Sequence, residues 1–201
     1  VVTAFSQSVI EAYAAVLEST DLMPVSFEIE ANAIARAVID RYDDQAYIVA
    51  NFKHGKVGLY VVGGGVAHFT STSSLPARSS TKEDKGDGTT STQDESTAAP
   101  QVTRVGTSEL TRELTRLISY WDSHKATKKA GTGAITKVIV CGDRSVSKEF
   151  VEQTVLELGY EIEEANVWQN AFSFDEFVPD ISYEASLSYA AAVGAALPFS
   201  K

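Results

Sequence analysis

Two short turns carry the residue types that could hold a phosphate or a nucleotide. The first turn ends an apolar run and contains Asn51 and Lys53; the second ends another apolar run and places Gly142 beside Asp143. Glycine lets backbone amides approach a phosphate closely, a cation attracts the phosphate, and a carboxylate holds a hydrated metal ion. These four residues are therefore the candidate cofactor-binding residues of the chain.

No other catalytic or metal-binding pattern is evident in the sequence. The three histidines are scattered singly, whereas a metal site needs ligands that converge. Cys141 is the only cysteine, which excludes an intrachain disulfide and a cysteine-based zinc site and suits a reducing cytoplasm. Gly-x-Ser-x-Gly, His-Glu-x-x-His and Walker sequences do not occur. We therefore expect no catalytic residue and no metal ligand, and we interpret Cys141 as an inert buried thiol.

A further group of residues is typical of a recognition surface. Residues 167–181 hold Trp168, Phe172, Phe174 and Phe177 among several carboxylates, without a clear helical period. Aromatic side chains supply much of the energy at protein interfaces, so these four are candidate partner-binding residues. The alternative interpretation is a loop that tucks its aromatic side chains under the Ala-rich helix that follows.

The overall composition limits the kind of protein that this chain could be. Its 201 residues, 44% of them hydrophobic, predict a soluble protein of one large domain or two small ones. The formal net charge of −10 weighs against nucleic-acid binding, because duplex affinity depends largely on Lys and Arg. The uncharged, Ala-rich run Ala185–Ser200 is shorter than a membrane span and predicts a buried helix. No signal peptide is evident.

Hydrophobic periodicity predicts the elements that must position the candidate residues. Apolar residues three and four apart over Phe5–Leu17 predict a core-facing helix that ends near Thr20. Alternation over Val25–Ile29 predicts a half-buried strand, and an Ala-rich helix follows over Ala31–Arg41. Glycine-bearing turns then separate three strands of an antiparallel meander, at Ala46–Phe52, Val57–Val62 and Val66–Thr72.

After this meander the sequence predicts a polar interruption and then alternating helices and strands. Ser71–Pro100 contains 13 Ser or Thr in 30 positions, which predicts a disordered loop that we place at 76–100. A helix capped at Thr107 or Ser108 follows, and its apolar stripe comprises Leu110, Leu114, Leu117 and Trp121. A strand, a helix, a strand and a helix complete the order, at Val138–Cys141, from Ser147, around Ile162 and over Tyr183–Ala196.

This order predicts an α/β fold of the ribonuclease-H-like, actin and Hsp70 type, with a three-stranded meander, βα units and flanking helices. We assign residues 1–42 to the end of a first actin-like subdomain, and 43–75 with 101–201 to a second, ribonuclease-H-like subdomain. In that superfamily an Asp-x-Gly hairpin and a later Gly-Gly turn contact the nucleotide. Asn51, Lys53 and Asp143 replace three of those residues, so we expect metal-assisted hydrolysis to be lost.

Several segments resemble the PilM family of type IV pilus assembly proteins. Asp21–Val25 resembles the family's "GL-P" turn, and Glu30–Ala37 resembles its "A-x-A-R-A" helix. Leu110–Trp121 is similar to the helix before the last βα units, Val138–Gly142 to the strand and glycine turn, and Tyr189–Leu197 to the closing "A-x-G-x-A" helix. The family's first phosphate-binding hairpin has no counterpart, so we expect that an N-terminal half is missing.

The resemblance implies a non-catalytic actin-like scaffold on the cytoplasmic face of the inner membrane. It would bind a membrane-anchored, PilN-like partner of a pilus assembly platform and would meet the membrane only through that partner. It implies no cofactor for this chain alone, although a full-length protein could bind ATP. Self-association into a homo-oligomer is left open. The alternative is a nucleotide-binding ATPase or an FtsA-like protein whose N-terminal half is missing, although the basic amphipathic helix that ends FtsA-like proteins is not seen.

Overall fold

The computed structural model describes residues 4–74, 101–124, 133–143 and 157–198, with the backbone alone for 101–108. The strands in these ranges are β1 (Ala46–Lys53), β2 (Lys56–Gly63), β3 (Val66–Ser74), β4 (Ile135–Gly142) and β5 (Glu161–Glu164). The helices are α1 (Gln7–Glu18), α2 (Glu30–Val38), α3 (Gln101–Ser123), α4 (Tyr183–Ser186) and α5 (Ala190–Ala196), with a 3₁₀ turn over Leu187–Tyr189 between the last two.

The strands form one sheet in the order β3-β2-β1-β4-β5. β1, β2 and β3 are antiparallel neighbours, whereas β4 lies parallel to β1 and β5 lies parallel to β4. Gly55 and Gly64 adopt φ of 71° and 57° in the two hairpin turns, a conformation that L side chains rarely adopt. The predicted three-stranded meander is therefore confirmed, and the two later strands extend the same sheet in parallel.

β1 is buried on both faces because helices cover the two sides of the sheet. On one face, Ile48, Ala50 and Phe52 pack with the stripe of α3 that the sequence predicted, and all four members of that stripe are buried. On the other face, Tyr47 and Val49 pack with α2, Leu187 and Ala190. A strand covered in this way is apolar along most of its length, as β1 is.

The layer that contains α2 and α5 is held by a very close backbone contact. A Cβ atom on Gly194 of α5 would lie 1.7 Å from the carbonyl oxygen of Ala33 in α2. The Arg36 guanidinium donates a hydrogen bond to the Gly194 carbonyl at 2.6 Å and also pairs with Glu28. Close packing and a charge-assisted hydrogen bond therefore fasten α5 to α2.

Two predictions for the first thirty residues are wrong. α1 forms, but Val9, Tyr13 and Val16 are 48%, 62% and 63% exposed, and no residue of α1 is buried among the described residues. Periodicity shows that one helix face is apolar, but it does not show whether anything covers that face. Val25–Ile29 forms no strand, because alternation alone provides no neighbouring strand with which to bond.

Other boundaries differ from the predictions for local reasons. α3 begins at Gln101, before the predicted caps Thr107 and Ser108, which the helix incorporates. The final predicted helix is divided by the 3₁₀ turn, whose tighter winding places Leu187 and Ala190 together against the sheet. The predicted loop at 76–100 and most of the helix predicted from Ser147 lie outside the described residues.

Helices in the described ranges do not combine the length and the apolar character that crossing a bilayer requires.

We expect Gly194→Ala to lower the free energy of unfolding by at least about 2 kcal/mol, because the new methyl group overlaps the α2 backbone. Alanine would gain about 1 kcal/mol in helix propensity, so the steric cost must exceed that gain. Urea unfolding measures the difference. Gly133→Ala is the matched control, since its Cβ would meet nothing within 4 Å. Equal unfolding midpoints for the two variants would contradict the close contact.

Candidate functional site

A cleft of about 240 Å³ lies where the parallel strands β1 and β4 end. We call it the carboxyl-edge cleft. Its walls come from the first turn of α2, the ends of β1 and β4, the 3₁₀ turn and α5, and its lining residues are Glu30, Asn51, Phe52, Lys53, His54, Gly142, Asp143, Ser188, Ala190 and Ala191. Open α/β sheets bind ligands at this edge, so the cleft is the natural candidate for a small-molecule site.

The four predicted cofactor-binding residues meet in this cleft because of the β1–β4 pairing. Asn51 lies opposite Cys141, and Phe52 lies opposite Gly142. The amide of Asp143 then donates a hydrogen bond to the Phe52 carbonyl at 2.8 Å. Residues ninety positions apart in the sequence are thus brought to one edge of the sheet.

Glu30 at the start of α2 organises the polar side chains of the carboxyl-edge cleft. Its carboxylate forms an ion pair with the Lys53 ammonium and accepts a hydrogen bond from the Asn51 side-chain amide at 3.4 Å. It also accepts a hydrogen bond from the Tyr60 hydroxyl at 3.2 Å. One carboxylate therefore engages the cation and the amide that could otherwise contact a phosphate.

The charges of the cleft are unfavourable for an anion. Glu30 and Asp143 contribute carboxylates, and Lys53 is the only Lys or Arg among the lining residues. Asn51, 5% exposed, supplies an amide where metal-assisted hydrolysis would require a carboxylate. In this arrangement a phosphate would have to compete with Glu30 for Lys53 and lie close to Asp143.

Gly142 has a structural reason for being glycine that does not involve a ligand. Its φ is 91°, and a Cβ atom would lie 2.0 Å from the Phe52 carbonyl oxygen and 2.7 Å from Oδ1 of Asn51. Only glycine therefore fits at this junction of β4 with the end of β1.

Cys141 and Tyr60 are held in their neutral forms behind the cleft. Burial, followed by the charge of Glu30, raises the pKa of the Cys141 thiol to about 12. The same two causes raise the pKa of Tyr60 to about 12. The Cys141 thiol lies 3.7 Å from Oδ1 of Asn51 and is 1% exposed, which confirms the prediction that the thiol is buried.

Glu30, which lines the cleft, and Tyr60, which lies behind it, are the members of this polar network that sequence reasoning missed. Glu30 follows an alternating segment that resembled a strand, and Tyr60 lies in an ordinary strand pattern. The "A-x-A-R-A" resemblance places Glu30 at the start of a helix, but no sequence signal directs its carboxylate towards β1 and β2.

The predicted aromatic residues form one cluster next to α2. Trp168 stacks on Phe172 at a centroid distance of 5.3 Å, and Phe174 and Phe177 contact Phe172 edge to face at 6.2 and 5.1 Å. Trp168 packs against the core that contains α2, whereas Phe174 and Phe177 are 50% and 56% exposed. The cluster therefore has an inner pair that is packed and an outer pair that is open to solvent, and the prediction that it binds a partner stays a prediction.

A shallow groove of about 490 Å³ borders this cluster and is lined by Asn166, Gln169, Asn170, Ala171, Phe172, Ser173 and Phe174. We call the groove together with Phe177 the aromatic surface. Asn170 anchors it, because its side-chain amide donates to the Arg36 and Ile39 carbonyls at 3.0 and 2.6 Å. These bonds satisfy carbonyls at the end of α2 that the helix itself leaves unpaired.

Across the described residues there is no group of three or more His, Cys, Asp and Glu side chains placed to hold a metal ion.

The sequence matches no protein-family model and no curated protein sequence. The structure is similar to a PilM–PilN type IV pilus biogenesis complex, with a TM-score of 0.62, 17% identity, and coverage of 94% of this chain and 56% of that chain. It is also similar to the ethanolamine utilization protein EutJ from Carboxydothermus hydrogenoformans, with a TM-score of 0.50, 14% identity, and coverage of 95% and 61%.

This chain thus spans little more than half the length of either solved structure. Identities of this size establish the fold and nothing finer. Together with the sheet order, the two likenesses show that the chain has an actin-like, ribonuclease-H-like fold.

Proposed function

We propose that this chain is a non-catalytic, actin-like scaffold of a type IV pilus inner-membrane platform. It binds a membrane-anchored, PilN-like partner on the cytoplasmic side and meets the membrane only through that partner. It uses no cofactor of its own.

The observation that carries this proposal is the polar network around Glu30. Its carboxylate holds Lys53, Asn51 and Tyr60 within the protein, in the cleft where a nucleotide-binding relative would need free donors. Asn51 also removes the carboxylate that would position a hydrated metal ion. Because phosphoryl transfer depends on positioned cations and donors, this cleft supports a structural role better than a catalytic one.

The likeness to a PilM–PilN complex supports the choice of partner. It covers 94% of this chain. An acidic chain also suits binding to a protein partner better than binding to a nucleic acid.

The alternative function is nucleotide binding within the same superfamily. It is favoured by the position of the carboxyl-edge cleft, at the ends of two parallel strands, and by the presence of Lys53 in it. Under this alternative, Lys53 leaves Glu30 when ATP binds and contacts a phosphate.

Calorimetric titration with ATP and Mg²⁺ distinguishes the two functions. We expect no binding tighter than about 1 mM, because releasing Lys53 from Glu30 and bringing phosphates close to Asp143 both oppose it. Lys53→Ala serves as the matched variant and should give the same flat titration. Micromolar binding by the native chain, lost in Lys53→Ala, would overturn the scaffold proposal in favour of the alternative.

A binding experiment tests the partner. A synthetic peptide of the cytoplasmic N-terminal segment of the PilN-like protein from the same genome should bind with a Kd in the micromolar range, about −8 kcal/mol. Fluorescence anisotropy measures the affinity, and a peptide of scrambled sequence is the control. If neither this peptide nor detergent-solubilised PilN-like protein is retained by the immobilised chain, the pilus assignment loses its support.

A further inference from the structure

The aromatic surface combines exposed apolar rings with a rigid backbone. Phe174 and Phe177 are about half exposed, and Val178 beside them is 73% exposed. The turn that presents them is fastened at Ser173, whose carbonyl accepts the amides of Glu176 and Phe177 at 3.0 and 3.1 Å. Large rings that are already ordered lose little conformational entropy when a partner covers them, so this surface is suited to binding.

The surface is connected to the core on its inner side. Trp168 and Phe172 stack on one another, and Trp168 packs with the α2 layer. Asn170 ties the groove to the end of α2. The position of the outer rings is therefore set by the fold rather than by a free loop.

The charge around this surface is mainly negative. Residues 157–198 contain eight Asp or Glu and no Lys, Arg or His. Asp175 and Glu176 lie between the two exposed rings in sequence, and both are exposed. The adjoining segment 40–45 contains three carboxylates and one cation, Arg41. Arg36, which also lies near this surface, is paired with Glu28 through its guanidinium.

We propose that the aromatic surface binds a basic, apolar peptide segment of a protein partner, with Phe174 and Phe177 covering its apolar residues and Asp175 and Glu176 facing its Lys or Arg side chains. This inference rests on the proposed function and specifies which part of the partner is bound. The cytoplasmic segments that flank a membrane anchor are enriched in Lys and Arg. Such a segment therefore has the charge that complements this surface, and the lipid headgroups of an anionic membrane do not.

The test uses two model peptides of about sixteen residues that differ only in charge. One peptide carries Leu and Lys at helical spacing, and in the other each Lys is replaced by Glu. Binding is followed through tryptophan fluorescence, because Trp168 is half-buried next to the surface, whereas Trp121 is 2% exposed on the opposite face of the sheet. We expect a saturable change with the Lys peptide and none with the Glu peptide.

Variants then locate the binding. Phe174→Ala combined with Phe177→Ala should lower the affinity for the Lys peptide at least about tenfold, as expected for aromatic anchors. Asp175→Asn combined with Glu176→Gln should lower this affinity by about three- to tenfold. The same pair should also reduce the dependence of the affinity on salt between about 50 and 500 mM NaCl. Tyr13→Ala is the matched control, because Tyr13 is an equally exposed ring on α1, and it should change the affinity less than twofold.

Equal binding of the two peptides, no binding of the Lys peptide, or full affinity in the double phenylalanine variant would each overturn this inference. These failures are separable from those of the proposed function. If the variant with Phe174→Ala and Phe177→Ala still binds the PilN-like segment, the scaffold function is supported and its binding site lies on another surface. If the chain binds the Lys peptide specifically but retains no platform protein, the aromatic surface is supported as a peptide-binding site and the pilus assignment is contradicted.

Discussion

The parallel pairing of β1 with β4 is the contact on which both cores and the cleft depend. It joins the antiparallel meander to the later βα units, and it places Asn51 opposite Cys141. The pairing requires glycine at position 142, because any Cβ there would overlap the Phe52 carbonyl. The residues of β1 that flank this contact point alternately to the α3 layer and to the α2 layer, so a single register fixes both faces of the sheet.

That same contact accounts for the shape of the cleft without reference to any ligand. The glycine and the open strand ends are required by backbone geometry, whereas the polar side chains engage one another through Glu30. A fold keeps the residues that its packing needs, and its functional groups can change separately. A cleft of this shape is therefore weak evidence for catalysis unless its donors and its metal-positioning carboxylate are also present.

The distribution of charge and aromatic residues directs attention to a second region. The carboxyl-edge cleft is polar and internally paired, whereas the aromatic surface has exposed rings, a hydrogen-bonded turn and the exposed carboxylates of Asp175 and Glu176 beside it. Anchoring by Asn170 connects that surface to the end of α2, which also supplies Glu30 at its other end. The short helix α2 thus supports both regions and is held in turn by the Gly194 contact with α5.

Local patterns in the sequence were sufficient to predict the meander, the buried stripe of α3, and β4 and β5. The fold class followed from these elements. They placed Asn51, Lys53, Gly142 and Asp143 at strand ends, since strand periodicity and glycine turns are short-range signals. They were insufficient for α1, whose apolar face proved exposed, and for Val25–Ile29, which has no strand beside it. Only the tertiary structure decided that Glu30 neutralises Lys53 and that two aromatic rings face outward, because burial and ion pairing depend on contacts between residues distant in the chain.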